Sequence, residues 1–180
     1  MGESWSGIRG RLEKDLLCEK LRGRVQYFLT HYHGAPDQYG RFCVRLDGKE
    51  IIFANPYHDM AESRAAEDVR REMGEDRDWY RLYEEDRERY DEIFRMADRR
   101  CIENNTMEIY HIMDALRTYL RTPVQASIRS DNPLLRMFAI VDRRIGKRTL
   151  ARLSDSTERQ PEWLKPLYRA RMRVEGIRQL

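Results

Sequence analysis

The pair Asp47-Gly48 constrains the fold of this chain more than any other feature of its sequence. It separates two runs rich in apolar residues, 42–46 and 49–53. An Asp-Gly pair in that setting predicts a two-residue β-hairpin turn, because both turn positions need a positive φ. The sequence therefore predicts two antiparallel strands around this turn.

The two-residue turn also predicts how the strands pair. It places Arg45 opposite Glu50, which predicts a cross-strand ion pair on one face of the hairpin. Side chains alternate between the two faces of a strand, so the apolar residues share the other face. This predicted core face consists of Phe42, Val44, Leu46, Ile51 and Phe53.

A third strand is predicted before the hairpin. Residues 24–33 are rich in Val, Tyr, Phe and Thr, and the stretch 34–40 that follows has the Gly, Pro and Asp content of a loop. Three strands with one apolar face need a cover, which helices supply. We therefore predict an α+β fold, a three-stranded antiparallel meander packed by an N-terminal helix and four or five later helices.

The covering helices are predicted from apolar residues that recur at three- and four-residue spacing. We expect a single domain over residues 1–180, with an α-β-β-β-α part in 1–74 and a helical part in 75–180. Capping residues, glycines and prolines set the expected boundaries. The predicted helices are 4–21, 60–73, 78–100, 106–120, 133–145 and 161–174.

Composition argues against a membrane-spanning protein and against an exported one. Charged residues make up 36% of the chain and hydrophobic residues 41%, and no run approaches the roughly eighteen apolar residues that span a bilayer. The first residues contain no apolar signal region. Three widely spaced cysteines without a CxxC pair are typical of reduced thiols. We expect a cytoplasmic protein without a membrane partner.

Charge is distributed unevenly along the chain. Residues 59–105 contain 16 acidic residues and 10 arginines, whereas residues 121–180 contain 14 basic residues and 6 acidic ones. Opposite charges of this kind either attract each other within the fold or leave a basic face open to an anionic partner. The sequence leaves both alternatives open.

Several short motifs resemble those of a group of uncharacterised bacterial proteins of similar length. They are Gly23-Arg24-Val25, Asp47-Gly48-Lys49-Glu50-Ile51, Asn132-Pro133-Leu134 and Asp142-Arg143-Arg144-Ile145-Gly146-Lys147-Arg148-Thr149-Leu150. The resemblance covers nearly the whole chain apart from the acidic middle. It implies a bacterial, intracellular protein of a single family, and it assigns no functional residue.

The last of these motifs is the most distinctive candidate site. Arg143, Arg144, Lys147 and Arg148 lie close together beside a glycine and are candidates for binding a phosphate or a carboxylate of a partner. The alternative is structural. Basic residues suit the last turn of a helix, where they interact favourably with the helix dipole, and Asp142 can pair with a neighbouring arginine.

A second candidate site consists of histidines. His31 and His33 fall on one face of the first predicted strand and His58 follows the sheet, so the three are candidates for a zinc site. The alternative is a polar outer face of the sheet. His111, near the apolar face of the fourth predicted helix, is interpreted as a hydrogen-bonded core residue.

Three functions follow from these observations. The leading hypothesis is a non-enzymatic binding or adaptor protein with a protein partner, which uses the outer sheet face or the basic C-terminal helices. The second is nucleic-acid binding through the basic residues 121–178. The third is a metal-dependent hydrolase around the histidines. The sequence has no GxxxxGK[ST], GxGxxG or GxSxG motif, and we predict no cofactor.

Overall fold

A computed structural model describes residues 4–31, 40–54 and 59–177 of the chain. It confirms the predicted α+β class, with a three-stranded antiparallel sheet in the order β1-β2-β3. The strands are β1 (Val25–His31), β2 (Gly40–Leu46) and β3 (Lys49–Ala54). The predicted meander is therefore present, and helices follow it along the rest of the chain.

The α-helices within the described ranges are α1 (Trp5–Gly10), α2 (Asp59–Glu72), α3 (Trp79–Glu85), α4 (Arg87–Glu103), α5 (Ile109–Arg121), α6 (Val124–Ser127), α7 (Pro133–Ile140), α8 (Lys147–Leu153) and α9 (Lys165–Glu175). A π-helical segment, Arg11–Leu16, continues α1, and 3-10 turns occupy Glu19–Leu21 and Ser154–Arg159. No helix in the part that the structure describes is long and apolar enough to cross a membrane.

The hairpin turn forms as predicted. The register that a two-residue turn predicts, with Val44 opposite Ile51 and Phe42 opposite Phe53, is wrong beyond the pair of Arg45 and Glu50. Asp47 and Gly48 have φ values of 52° and 80°, as a primed hairpin turn requires. Arg45 pairs with Glu50, but Val44 then pairs with Ile52, because Ile51 is an extra residue in β3. This β-bulge turns Ile52 into the core and leaves Ile51 only partly buried.

Glu50 joins the two hairpin strands on the outer face. Its carboxylate accepts hydrogen bonds from Arg45 Nη2 at 3.0 Å and Arg41 Nη1 at 3.1 Å. These hydrogen bonds lower the pKa of Glu50 to about 2. The predicted cross-strand pair between Arg45 and Glu50 is confirmed, and Arg41, four residues before Arg45 in β2, also binds Glu50.

We expect Glu50→Gln to lower the free energy of unfolding by about 1 kcal/mol at neutral pH, since these pairs remain partly screened by water. The folded-state pKa lies below the ordinary value of 4.5. The stabilising charge is therefore present above that value and is lost as the pH falls towards 2. Urea unfolding of the wild type and of Glu50→Gln should show that their difference in free energy of unfolding becomes smaller as the pH falls. A difference that stays constant would contradict the ionic explanation.

The buried side chains form two clusters. The larger one packs the inner face of the sheet against α5, α7 and α9, and its centre is Phe138, whose ring lies 6.0 Å from that of Tyr27 and 5.3 Å from that of Tyr119. The smaller one lies between α2, α3 and α4. Helix α2 thus packs on α4. The prediction of a single domain over residues 1–180 stays a prediction.

Several helices are shorter than the apolar periodicity predicts. The predicted helix 78–100 is interrupted at Asp86, whose carboxylate accepts the N–H of Arg89 and so begins α4 as a new helix. The predicted helix 4–21 ends near Leu17, which adopts an extended conformation and pairs with Asp142. The predicted helix 133–145 ends at Ile140, immediately before the candidate site.

Candidate functional site

The distinctive basic motif lies in the turn between α7 and α8. Backbone hydrogen bonds tie this turn to the segment after α1. The N–H of Cys18 donates to the carbonyl of Val141 at 2.8 Å, and the N–H of Arg143 donates to the carbonyl of Leu16 at 2.8 Å. The turn is therefore held by residues more than a hundred positions earlier in the chain.

Asp142 anchors the turn in the core. It is 1% exposed and accepts a hydrogen bond from the hydroxyl of Tyr119, which is equally buried. Arg144 donates to the same carboxylate through its backbone N–H at 2.7 Å and through Nη2 at 2.6 Å. Burial and the adjacent Asp142 raise the pKa of Tyr119 far above its ordinary value. Arg144, one of the predicted binding residues, is therefore already paired with Asp142 within the chain.

Lys147 is also engaged within the chain, although less closely. Its Nζ lies 3.9 Å from Glu175, whose carboxylate also accepts from Lys20 at 3.2 Å and from the buried Arg171. Burial acts to raise the pKa of Glu175, but the hydrogen bonds from Arg171 and Lys20 outweigh it and leave the pKa below its ordinary value. Glu175 thus joins the end of α9 to the start of α8.

Arg143 and Arg148 differ from the other two predicted residues. Both side chains are exposed, and neither has an ion-pair partner within the described ranges. The structural alternative, cations in the last turn of a helix, is wrong for Lys147 and Arg148. These residues begin α8, where the helix dipole disfavours positive charge. The basic residues fall at the start of α8 because α7 already ends at Ile140, which allows Asp142 to turn inward to Tyr119.

Arg152 lies on the same side of α8 as Arg148, and the sequence analysis did not single it out. It lies one helical turn after Arg148 in α8, is exposed and has no ion-pair partner among the described residues. The opposite side of α8 is anchored by the fully buried Leu150. The spacing of four residues between Arg148 and Arg152 is visible in the sequence, but it indicates a shared face only once α8 is separated from α7.

Among the described residues, no ion pair joins the acidic middle to the basic C-terminal region. Within the described ranges, ion pairs of residues 59–105 are formed inside that region, apart from the contact of Asp98 with His111. Those of residues 121–177 are formed inside that region or with Lys20. No ion pair in the described ranges therefore supports the alternative in which the two regions attract each other within the fold.

His111 lies beside a groove of about 410 Å³ along α4, α5 and the start of α7. Its Nδ1 accepts the N–H of Glu108 at 3.0 Å, which leaves Nε2–H to donate to Asp98 at 3.0 Å. Both ring nitrogens are therefore occupied, and neither has a lone pair for a substrate. The interpretation of His111 as a hydrogen-bonded core residue is confirmed.

The predicted zinc site is not tested by the structure. His33 and His58 lie outside the described residues, and the side chain of His31 is not described. Elsewhere in the described ranges, no group of three His, Cys, Asp or Glu side chains is placed to hold a metal ion. The metal site of His31, His33 and His58 stays a prediction.

The cysteines are buried and unpaired, as the sequence analysis expected. Burial raises the pKa of the Cys43 and Cys101 thiols, which makes both poor nucleophiles. Cys18 contacts the guanidinium of Arg171, with 2.8 Å between Sγ and Nη1. No buried thiol has a neighbouring histidine base among the described contacts, so these cysteines are part of the packing.

Comparison with known proteins is consistent with the expected uncharacterised family. No curated protein and no solved structure matches the chain. A sequence model of the SF0329 protein family, whose function is unknown, matches residues 4–172 and so covers both the sheet and the α7–α8 turn. The chain belongs to the SF0329 protein family.

Proposed function

We propose that this protein is a non-enzymatic binding protein and that it holds an acidic protein surface on the arginine face, which we define as Arg143, Arg148 and Arg152. One observation carries the proposal. These three guanidiniums are exposed and have no ion-pair partner within the described ranges, whereas Arg144 and Arg171 in the same region are hydrogen-bonded within the chain.

The arginine face is unfavourable for the isolated chain. Arg148 and Arg152 are one turn apart on α8, and like charges at that spacing destabilise a helix by about 0.2–0.5 kcal/mol. Carboxylates of a partner offset this repulsion, because a guanidinium binds a carboxylate through two parallel hydrogen bonds. The charge pattern therefore fits a protein that meets an acidic partner.

An acidic protein fits this face better than a nucleic acid does. Proteins that bind single strands stack the bases on exposed aromatic side chains. The large exposed hydrophobic residues within the described ranges all lie outside residues 121–177; they are Met60, Tyr80, Tyr83, Met96 and Tyr110. The basic region thus offers charge without stacking surfaces, and carboxylates also interrupt it at Glu158 and Glu162.

Fluorescence anisotropy with a labelled polyglutamate peptide tests the proposal. We expect salt-sensitive binding, and about tenfold weaker binding by the variant Arg143→Ala/Arg148→Ala/Arg152→Ala. The estimate takes about 0.5 kcal/mol for each exposed contact and about 1.4 kcal/mol for a tenfold change in Kd. The urea midpoint of this variant should not fall, because none of the three side chains makes an ion pair with another described residue.

The matched control is Arg64→Ala/Arg81→Ala/Arg99→Ala, which removes three exposed arginines from α2, α3 and α4 that have no ion-pair partner among the described residues. We expect it to bind polyglutamate about as tightly as the wild type. Equal affinity of the wild type and the arginine-face variant would contradict the proposal. Tighter binding of an RNA or DNA duplex than of polyglutamate would replace the protein partner by a nucleic acid.

A further inference from the structure

The outer face of α3 exposes two aromatic rings. Tyr80 is 76% exposed and Tyr83 is 45% exposed, while Leu82 on the opposite side of the helix is fully buried in the α2–α4 cluster. Exposed aromatic side chains of this size are common at the centres of protein interfaces. The guanidinium of Arg87 already lies 4.1 Å from the centroid of the Tyr83 ring, so this surface forms cation–π contacts.

The sequence around these two tyrosines is rich in carboxylates. Residues 76–88 contain six carboxylates and three arginines. Within the described ranges, four of the six carboxylates make no ion pair and cap no helix; they are Asp76, Glu84, Glu85 and Glu88. Glu84 follows Tyr80 by one helical turn. We define the acidic face as Tyr80, Glu84 and Glu85, an unpartnered side of α3 that attracts cations.

The acidic face and the arginine face are complementary. Tyr80 and Glu84 have the same four-residue spacing as Arg148 and Arg152. When α8 and α3 of two molecules lie side by side, in either direction, one guanidinium can therefore stack on the tyrosine ring. The other guanidinium then pairs with the carboxylate. No ion pair joins the two faces within the chain, in the part that the structure describes. Both faces are thus available to another molecule.

We propose that the acidic partner of the arginine face is the acidic face of a second copy of this chain. The inference rests on the proposed function, because it names the partner of the same arginine face. The contact joins two different surfaces. Two copies can make it twice about a two-fold axis, whereas a single contact per pair extends into a chain of copies.

Sedimentation velocity tests this inference with two charge-reversed proteins. The first is Arg148→Glu/Arg152→Glu, and the second is Glu84→Lys/Glu85→Lys. Lysines suit the last turn of α3 because they interact favourably with the helix dipole, so the second protein should keep its fold. We expect the wild type to self-associate at low salt, and each variant alone to associate at least tenfold more weakly, since its two faces then carry the same sign.

An equimolar mixture of the two variants should associate again, because each face of one protein now meets the opposite charge on the other. The control Glu103→Lys/Asp131→Lys reverses two exposed carboxylates that lie outside both faces and have no ion-pair partner among the described residues, and it should associate like the wild type. A monomeric wild type, a mixture that stays monomeric, or association that both variants retain would overturn the inference.

The failure of this inference and the failure of the proposed function are distinguishable. Glu84→Lys/Glu85→Lys leaves the arginine face intact, so we expect it to bind the labelled polyglutamate peptide as the wild type does. Polyglutamate binding by a wild type that is monomeric would overturn the self-association and leave the proposed function in place. The absence of polyglutamate binding by the monomeric Glu84→Lys/Glu85→Lys protein would count against the arginine face itself.

Discussion

Asp142→Ala is expected to lower the free energy of unfolding by about 3 kcal/mol, the order of magnitude for breaking a buried, hydrogen-bonded charge pair. The substitution leaves the buried hydroxyl of Tyr119 without its acceptor and removes the partner of Arg144. It also releases the turn that separates α7 from α8. Urea unfolding followed by circular dichroism measures the loss directly.

Two further variants show whether burial is the cause. Asp131→Ala removes an exposed carboxylate and should change the free energy of unfolding by less than about 0.5 kcal/mol. Tyr119→Phe removes one donor but leaves Asp142 paired with Arg144, so its cost should be about 1 kcal/mol. A cost for Asp142→Ala no larger than that for Asp131→Ala would contradict the anchoring role.

Arg171→Ala should cost about 3 kcal/mol, through a cavity in α9 and the loss of buried hydrogen bonds. Arg171 is 2% exposed. It connects α9 to the carbonyl of Ile145 at 2.9 Å, to the sulfur of Cys18 at 2.8 Å and to Glu175. The same urea measurement applies, and the exposed Arg173→Ala is the control, with little expected change.

Arg171→Met separates the two contributions at this position. Methionine fills most of the volume, and Nε of Arg171 has no hydrogen-bond partner in the structure, so an unsatisfied donor is removed. Glu175 retains Lys20 at 3.2 Å. We therefore expect Arg171→Met to cost less than half as much as Arg171→Ala. Equal costs would show that the charge, and not the packing, dominates.

The sequence predicts the strands better than their pairing. Asp47-Gly48 is sufficient for the turn, because its two residues adopt the positive φ that the turn needs. The register fails at Ile51 and Ile52, since two consecutive apolar residues do not indicate which one faces the core. The structure decides in favour of Ile52, and the bulge leaves Glu50 on the outer face with Arg41 and Arg45.

The candidate site is harder to predict from sequence, because long-range contacts determine which of its charges are available. Asp142 and Tyr119 are 23 residues apart, and Arg171 and Cys18 are 153 apart. No local sequence pattern shows that Arg144 forms an ion pair with Asp142, whereas Arg148 has no ion-pair partner among the described residues. The apolar run after Pro133 predicts one continuous helix, whereas the inward turn of Asp142 ends α7 and makes Lys147 the start of α8.

The most direct test of the arginine face is a nuclear magnetic resonance titration that follows the arginine Nε–H signals during addition of unlabelled polyglutamate peptide. The signals are assigned from single Arg→Lys variants. The account predicts shifts at Arg143, Arg148 and Arg152, and unchanged signals at Arg144 and Arg171, which are already bound within the chain. Shifts confined to other arginines, or no shift at Arg148 and Arg152 while the peptide binds, would contradict it.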